Sequence, residues 1–174
     1  LTLGFVGDSA LALEYGYGTR TTPTIVGHML EKFGALRTVR VVNRAVSGTS
    51  SSAWFPGAAI YDNAVKAFRA TNTQYVVYCH GLNDALGTYD EFLYDAFLSQ
   101  AINAFVADGF TIILCRPTVR FDDPVYITNM TGYMPILDSK VNGTTILQGD
   151  LLAFDYFLVH PEEVPDTIHP QNKG

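Results

Sequence analysis

The sequence predicts an α/β fold with a mostly parallel sheet and helices on both of its faces. Short apolar runs of strand length alternate with longer segments in which apolar residues recur at helical spacing. The chain has 174 residues, a length typical of one domain with a sizeable core. Hydrophobic residues make up 48% and charged residues 16% of the chain, which indicates a globular protein rather than a disordered one.

The predicted elements follow one another in a regular order. The first strand, Leu3–Val6, is an apolar run that ends at Gly7. The first helix, Thr24–Phe33, has apolar residues at helical spacing, and Gly34 marks its end. The β-branched run Thr38–Val42 is the second strand. The same two patterns predict a helix at Ala58–Ala70, a strand at Gln74–Cys79, a helix at Tyr89–Asp108, a strand at Phe110–Cys115 and a short strand at Thr144–Leu147.

One segment, Arg116–Asp138, is predicted to be irregular because it contains three prolines and a glycine. It follows the fourth strand, so it lies at the edge of the sheet where the other strands also end. A long loop at such an edge can shape a substrate site, or it can be a surface insertion. The sequence leaves both interpretations open.

Charge and composition exclude several function classes. The formal net charge is -6 and the isoelectric point is about 5.0, which argues against a nucleic-acid-binding protein with a basic face. No apolar run reaches the roughly 18 residues that a membrane span needs. The two cysteines, Cys79 and Cys115, lie in predicted central strands and are interpreted as buried apolar side chains rather than a disulfide. No His/Cys cluster has the spacing of a metal site, and no cofactor is expected.

Candidate functional residues follow three of the predicted strands. Gly7-Asp8-Ser9 follows the first strand, Gly48 follows the second, and Gly81-Leu82-Asn83-Asp84 follows the third. Right-handed crossovers bring the ends of parallel strands to one edge of the sheet, where open α/β sheets build their sites. The sequence therefore predicts that Ser9, Gly48 and Asn83 meet at this edge.

Ser9 is the candidate nucleophile, although a serine after a strand is also a common turn or helix-capping residue. A serine hydroxyl needs a base within hydrogen-bond reach. His169 is the candidate base because Asp166 lies three residues before it and could orient its ring, while Pro170 restricts its backbone. His160 is the rival base.

Four blocks, in this order, resemble those of the SGNH (GDSL-type) hydrolases, and the resemblance spans nearly the whole chain: Gly7-Asp8-Ser9, Gly48, Gly81-Leu82-Asn83-Asp84 and Asp166-Thr167-Ile168-His169. The resemblance implies a single domain, residues 1–174, with the flavodoxin-like three-layer α/β/α fold of that family. It also implies that the Ser9 and Gly48 N–H groups and the Asn83 amide form an oxyanion hole. Family members usually continue after the histidine into a final helix, which this sequence does not contain.

The resemblance implies a serine esterase with a Ser9–His169–Asp166 triad. The expected substrate is a small acyl ester, such as an O-acetyl group on a carbohydrate. A lipase or thioesterase of the same family is the close alternative, and a non-catalytic carbohydrate-binding module is the alternative from another class. Three aromatic residues, Tyr15, Trp54 and Phe55, are candidates to line the substrate site, or else to pack in the core.

Overall fold

A computed structural model describes residues 1–12, 22–34, 38–164 and 167–169 of the chain. These residues form one sheet of five strands: β1 (Thr2–Gly7), β2 (Arg40–Asn43), β3 (Tyr75–Cys79), β4 (Thr111–Leu114) and β5 (Ile146–Gln148). They also form the helices α1 (Thr22–Phe33), α2 (Ala59–Ala70), α3 (Glu91–Ala107), α4 (Tyr126–Ser139) and α5 (Ala153–Val159). The predicted α/β class is confirmed.

The order of the strands creates the place where a site can form. The strands lie in the order β2-β1-β3-β4-β5, and all neighbouring pairs are parallel. From β1 the chain steps outward to β2, whereas from β3 it steps in the opposite direction to β4 and then to β5. Connections therefore diverge between the carboxyl ends of β1 and β3, which is the switch point at which open α/β sheets bind ligands.

The two faces of the sheet carry different helices for the same topological reason. A right-handed crossover that steps one way along the sheet places its helix on one face, and a step the other way places it on the opposite face. Val26 and Leu30 of α1 accordingly pack with Leu3 and Phe5 of β1. Helices α2, α3 and α4 contribute to the larger core on the other face, which receives Val6 of β1. Alternate residues of a strand thus face opposite layers.

Helix α4 corrects the prediction that the whole of Arg116–Asp138 is irregular. Residues 116–125 have no helix or strand, but Tyr126–Ser139 is helical even though it contains Pro135. Tyr126, Met130, Tyr133, Met134 and Leu137 recur at helical spacing and are buried. The free energy gained by burying these side chains outweighs the cost of the backbone hydrogen bond that the proline cannot form.

The short helix α5 was not predicted either. It has seven residues, too few to give a clear helical period in the sequence. Among the residues that the structure describes, no helix combines the length and the apolar character needed to cross a membrane.

Candidate active site

Ser9 lies in a turn that begins directly after β1. The Asp8 side chain forms this turn, because its Oδ1 accepts a hydrogen bond from the Ala10 N–H at 3.1 Å. The Asp8 carbonyl oxygen accepts from the N–H groups of Leu11 and Ala12 at 3.2 and 3.1 Å. Ser9 is 7% exposed, and neither its hydroxyl nor its N–H is hydrogen-bonded to any residue that the structure describes. Both groups are therefore free to meet a ligand.

Gly48 lies in a second turn, held against the end of β1. The Val46 N–H donates to the carbonyl oxygen of Gly7 at 3.0 Å, and the Thr49 hydroxyl donates to the carbonyl oxygen of Val46 at 2.7 Å. The φ angle of Gly48 is +75°, a left-handed conformation that a residue with a Cβ adopts at a cost. Within the described part of the chain, the Gly48 N–H has no hydrogen-bond partner.

Asn83 lies beside this second turn, in the loop after β3. Its Nδ2 donates to the carbonyl oxygen of Thr49 at 2.9 Å, so one of the two amide N–H bonds is used. The other amide N–H has no partner among the described residues. The loop depends on Gly81, whose φ is +151° and where a Cβ would lie 2.4 Å from Cγ of Pro117. The structure thus brings Ser9, Gly48 and Asn83 to the switch point, and all three have an unused N–H donor.

His169 is described, whereas Asp166 lies outside the described residues. The loop before His169 is held by two backbone hydrogen bonds, from Thr167 N–H to Val164 O at 2.9 Å and from Phe121 N–H to Thr167 O at 2.6 Å. His169 itself is 9% exposed. Among the hydrogen bonds between described residues, none joins His169 to Ser9, and the assignment of His169 as the base stays a prediction. The rival His160 lies at the end of α5, where its Nδ1 is 3.1 Å from Oε1 of Glu162.

Buried polar groups surround the switch point. Burial raises the pKa of Asp8 to about 7 and that of Asp84 to about 6. Burial also lowers the pKa of His80 to about 3, so this imidazole is neutral. Its Nε2 lies 3.4 Å from the Thr49 hydroxyl. Asp84 Oδ1 accepts from the Ser51 N–H at 2.9 Å. Their hydrogen bonds make these three residues supports for the site's loops.

The aromatic candidates have different environments. Trp54 is completely buried, with its ring centroid 5.4 Å from that of His80 and 6.2 Å from that of Phe105. The structure therefore favours the core alternative for Trp54. Phe55 is 39% exposed and remains a candidate for substrate contact. Tyr15 lies outside the described residues.

Two pockets lie next to the candidate residues. The polar pocket, of about 180 Å³, is lined by Asn83, Asp84, Ser50, Ser52 and Thr88 together with aromatic side chains of α3 and α4. The apolar pocket, of about 320 Å³, is on the α1 face of the sheet, where Ala10 and Leu11 of the serine turn contribute to its wall. In the described part of the chain, no group of three or more His, Cys, Asp or Glu side chains is placed to hold a metal ion.

One contributor to the site's geometry, Arg120, was not singled out by the sequence. Its Nη1 donates to the carbonyl oxygen of Leu82 at 3.1 Å, directly before Asn83 in the chain. Arg120 lies 38 residues away from Leu82, in the segment predicted to be irregular. No local pattern in the sequence signals this contact.

Comparison with known proteins adds a structural likeness. No protein-family model matches this sequence, and no curated protein matches it. The fold is similar to that of TesA, with a TM-score of 0.66 and 22% identity over 98% of this chain and 89% of that one. A lipase/acylhydrolase from Enterococcus faecalis gives a TM-score of 0.66 at 19% identity, over 98% of this chain and 87% of that one.

AlinE4, described as an SGNH-hydrolase family esterase, gives a TM-score of 0.61 at 20% identity over 99% of this chain and 84% of that one. The chain has the SGNH hydrolase fold. The resemblance inferred from the four sequence blocks is therefore confirmed at the level of the fold. In this SGNH fold, the first block follows β1 and the third follows β3, on the two sides of the switch point.

Proposed function

We propose that the chain is an SGNH-type serine esterase that hydrolyses small acyl esters through a Ser9–His169–Asp166 triad. The observation that carries the proposal is that three residues, which follow the neighbouring strands β1, β2 and β3, each keep an N–H that no described residue accepts, and that the Ser9 hydroxyl is likewise unbonded within the described part of the chain. These donors belong to Ser9, Gly48 and Asn83. Donors fixed before the reaction stabilise negative charge that develops on a carbonyl oxygen, because they need no reorganisation when it forms.

The proposed reaction has two steps. In the first, Ser9 Oγ attacks the ester carbonyl carbon, and its proton passes to Nε2 of His169. The three donors hold the resulting oxyanion. When the intermediate collapses, His169 gives the proton to the departing alcohol, which leaves an acyl group on Ser9. In the second step, water attacks the acyl group with His169 as base, and the carboxylic acid is released.

Asp166 has a supporting role in this reaction, because it acts through His169. Asp166 holds the imidazole in one tautomer and stabilises its charged form. The contact between His169 and Ser9 is expected to form in the substrate complex, since catalytic hydrogen bonds are often long without substrate.

The polar pocket supports a substrate whose alcohol part carries hydroxyl groups. It adjoins Asn83, and its wall combines the polar side chains of Ser50, Ser52 and Thr88 with aromatic rings. Sugars bind to surfaces of this kind, because their hydroxyls form hydrogen bonds while their apolar faces contact rings. We propose O-acetyl groups on a carbohydrate as the substrate class.

A second candidate function, a lipase or thioesterase, is favoured by the apolar pocket. Its wall includes Ala10 and Leu11, which follow Ser9 in the chain, and its volume of about 320 Å³ would admit an alkyl chain.

Acetate release from an acetylated oligosaccharide and from p-nitrophenyl acetate tests the proposed function. We expect the wild-type chain to hydrolyse both esters and the Ser9→Ala variant to lose roughly 10⁴-fold or more in turnover while keeping its circular dichroism spectrum. A folded wild type that binds the oligosaccharide but releases no acetate from either ester would instead indicate a carbohydrate-binding module.

A further inference from the structure

The backbone of Leu82 is held from both sides. Its N–H donates to Oδ2 of Asp8 at 3.1 Å, and its carbonyl oxygen accepts from Nη1 of Arg120 at 3.1 Å. Asp8 directly precedes Ser9 in the chain, and Leu82 directly precedes Asn83. The bond to Asp8 therefore joins the loop that carries Asn83 to the turn that carries Ser9, and the bond from Arg120 holds the same loop from its other side.

Arg120 is a buried cation with a defined partner. Its Nε donates to Oδ1 of Asp122 at 2.6 Å, and its Nη2 donates to Oδ2 of the same carboxylate. This pair of bonds raises the pKa of Arg120, so the guanidinium stays charged. The planar group pairs with Asp122 on one edge and still directs Nη1 to Leu82. A lysine has a single nitrogen and cannot reproduce this three-bond geometry.

The segment that contains Arg120 also contacts the histidine loop. The N–H of Phe121, the next residue, donates to the carbonyl oxygen of Thr167 at 2.6 Å. Thr167 has a φ of +67° and lies two residues before His169. One short segment thus holds the Asn83 loop through a side chain and the His169 loop through its backbone.

We propose that Arg120 is a positioning residue for the ester hydrolysis described above, on which this inference rests. Its guanidinium fixes the Leu82 carbonyl so that the Asn83 amide meets the oxyanion as charge develops. It does so without touching the substrate. Removal of the guanidinium frees the loop after β3, so the donor geometry is lost more than substrate binding.

Arg120→Lys tests this role, with Arg116→Lys as the matched control. Arg116 has the same bonding pattern, with Nε and Nη2 on Asp138 at 3.3 and 2.6 Å and Nη1 on the carbonyl oxygen of Leu151 at 3.3 Å. In the described structure it has no hydrogen bond with Ser9, Leu82 or Asn83. We expect Arg120→Lys to lower kcat about 10- to 100-fold with KM changed by less than about twofold. Arg116→Lys should keep nearly wild-type kcat.

A double-mutant cycle with Asn83→Ala shows whether Arg120 acts through Asn83. Arg120→Lys should cost little in the Asn83→Ala background, because the donor it positions is already gone. Fully additive losses would overturn the proposal, as would equal losses in Arg120→Lys and Arg116→Lys. If Arg120→Lys does not fold, Asp122→Asn carries the same comparison, because it removes the negative charge and one of the two oxygens that hold the guanidinium.

The wild-type chain separates the failure of this inference from the failure of the proposed function. A folded wild type without activity on any ester refutes the esterase and the positioning role together. An active wild type with an inactive Ser9→Ala and a fully active Arg120→Lys refutes the positioning role alone.

Discussion

At the scale of single residues, the three candidate oxyanion donors are held by different parts of the chain. The Ser9 N–H belongs to the turn built on Asp8, and the Gly48 N–H to the turn after β2. The Asn83 amide is tied to Thr49 by a side-chain hydrogen bond. A substitution at Asn83 should leave the Ser9 N–H in place, because the turn of Ser9 has its own support. It removes one hydrogen bond from Thr49, beside Gly48, but that turn keeps its bonds from Thr49 to Val46 and from Val46 to Gly7.

Asn83→Ala should therefore lower kcat by roughly 10²- to 10³-fold and change KM little. The reason is that the hydrogen bond from the Asn83 amide to the substrate oxygen strengthens only as the oxyanion forms. Asn83→Asp should be at least as damaging, since a carboxylate repels that charge. Steady-state kinetics on p-nitrophenyl acetate measure both effects. Asn63→Ala, at an exposed asparagine of α2, is the control. A higher KM with unchanged kcat would make Asn83 a residue that binds the ground state.

The two histidines near the end of the chain should behave differently. His169→Ala should remove nearly all turnover, because no base then accepts the proton of Ser9. His160→Ala should keep it, since His160 is paired with Glu162 beyond the end of α5. The assay is ester hydrolysis by both variants at equal folded concentration. The reverse pattern would move the base to His160 and remove Asp166 from the triad.

At the scale of elements, the end of β3 concentrates polar groups in an apolar environment. His80 directly follows this strand, is 1% exposed, and packs with its ring centroid 4.7 Å from that of Tyr78. Its pKa is lowered from 6.5 to about 3 by burial. The unfolded state therefore takes up a proton between these two pH values that the folded state does not, so stability falls as pH falls from 6.5 to 3.

His80→Phe should remove this part of the pH dependence. The free energy of unfolding of the wild type should fall relative to that of the variant as pH is lowered from 6.5, by at most about 1.4 kcal/mol per pH unit. Asp8 and Asp84, whose pKa values are raised by burial, contribute in the opposite direction, but equally in both proteins. Urea unfolding at several pH values measures the difference. Parallel stability curves for the two proteins would contradict a neutral buried His80.

Some helices and strands could be predicted from the sequence, and others could not. Strands β1 and β3 and helix α2 were predicted within one or two residues, because their apolar patterns are strong and their ends are marked by turn residues. Helix α4 was missed, since Pro135 argues locally against it. What stabilises it is distant in the chain: the ring of Tyr133 stacks on those of Tyr89 and Tyr94, with centroid distances of 4.9 and 4.2 Å.

In the candidate site, too, some features could be predicted from the sequence and others could not. Ser9, Gly48 and Asn83 could be placed together from the sequence because each follows a parallel strand, and topology alone brings such positions to one edge. The contacts of Arg120 with Leu82 and of Asp8 with Leu82 could not, since they join residues that are 38 and 74 positions apart. Such contacts depend on how loops pack rather than on local periodicity.

At the scale of the whole molecule, the switch point separates two environments. The polar pocket adjoins Asn83, whereas the apolar pocket lies on the α1 face of the sheet. In the proposed function, the alcohol part of the ester occupies the polar pocket, whereas in the alternative function a long acyl chain occupies the apolar pocket. Acyl length is therefore the property that distinguishes the proposed esterase from a lipase or thioesterase.

A series of p-nitrophenyl esters should show the highest kcat/KM at acetate or butyrate. Longer acyl chains gain little if they remain outside the apolar pocket, because apolar surface left in water contributes no transfer free energy. The rate of p-nitrophenol release across acyl lengths, at concentrations below micelle formation, measures the preference. A maximum at eight carbons or longer would favour the lipase or thioesterase, with the apolar pocket as the acyl site.

The most direct measurement is the labelling of the folded protein with a fluorophosphonate, located by mass spectrometry of its peptides. An activated serine attacks the phosphorus and releases fluoride, whereas an ordinary turn serine does not react. We expect one label per chain, on Ser9, and none in a folded Ser9→Ala variant. A folded wild type that stays unlabelled, or one labelled at another residue, would contradict the assignment of Ser9 as the nucleophile of an SGNH esterase.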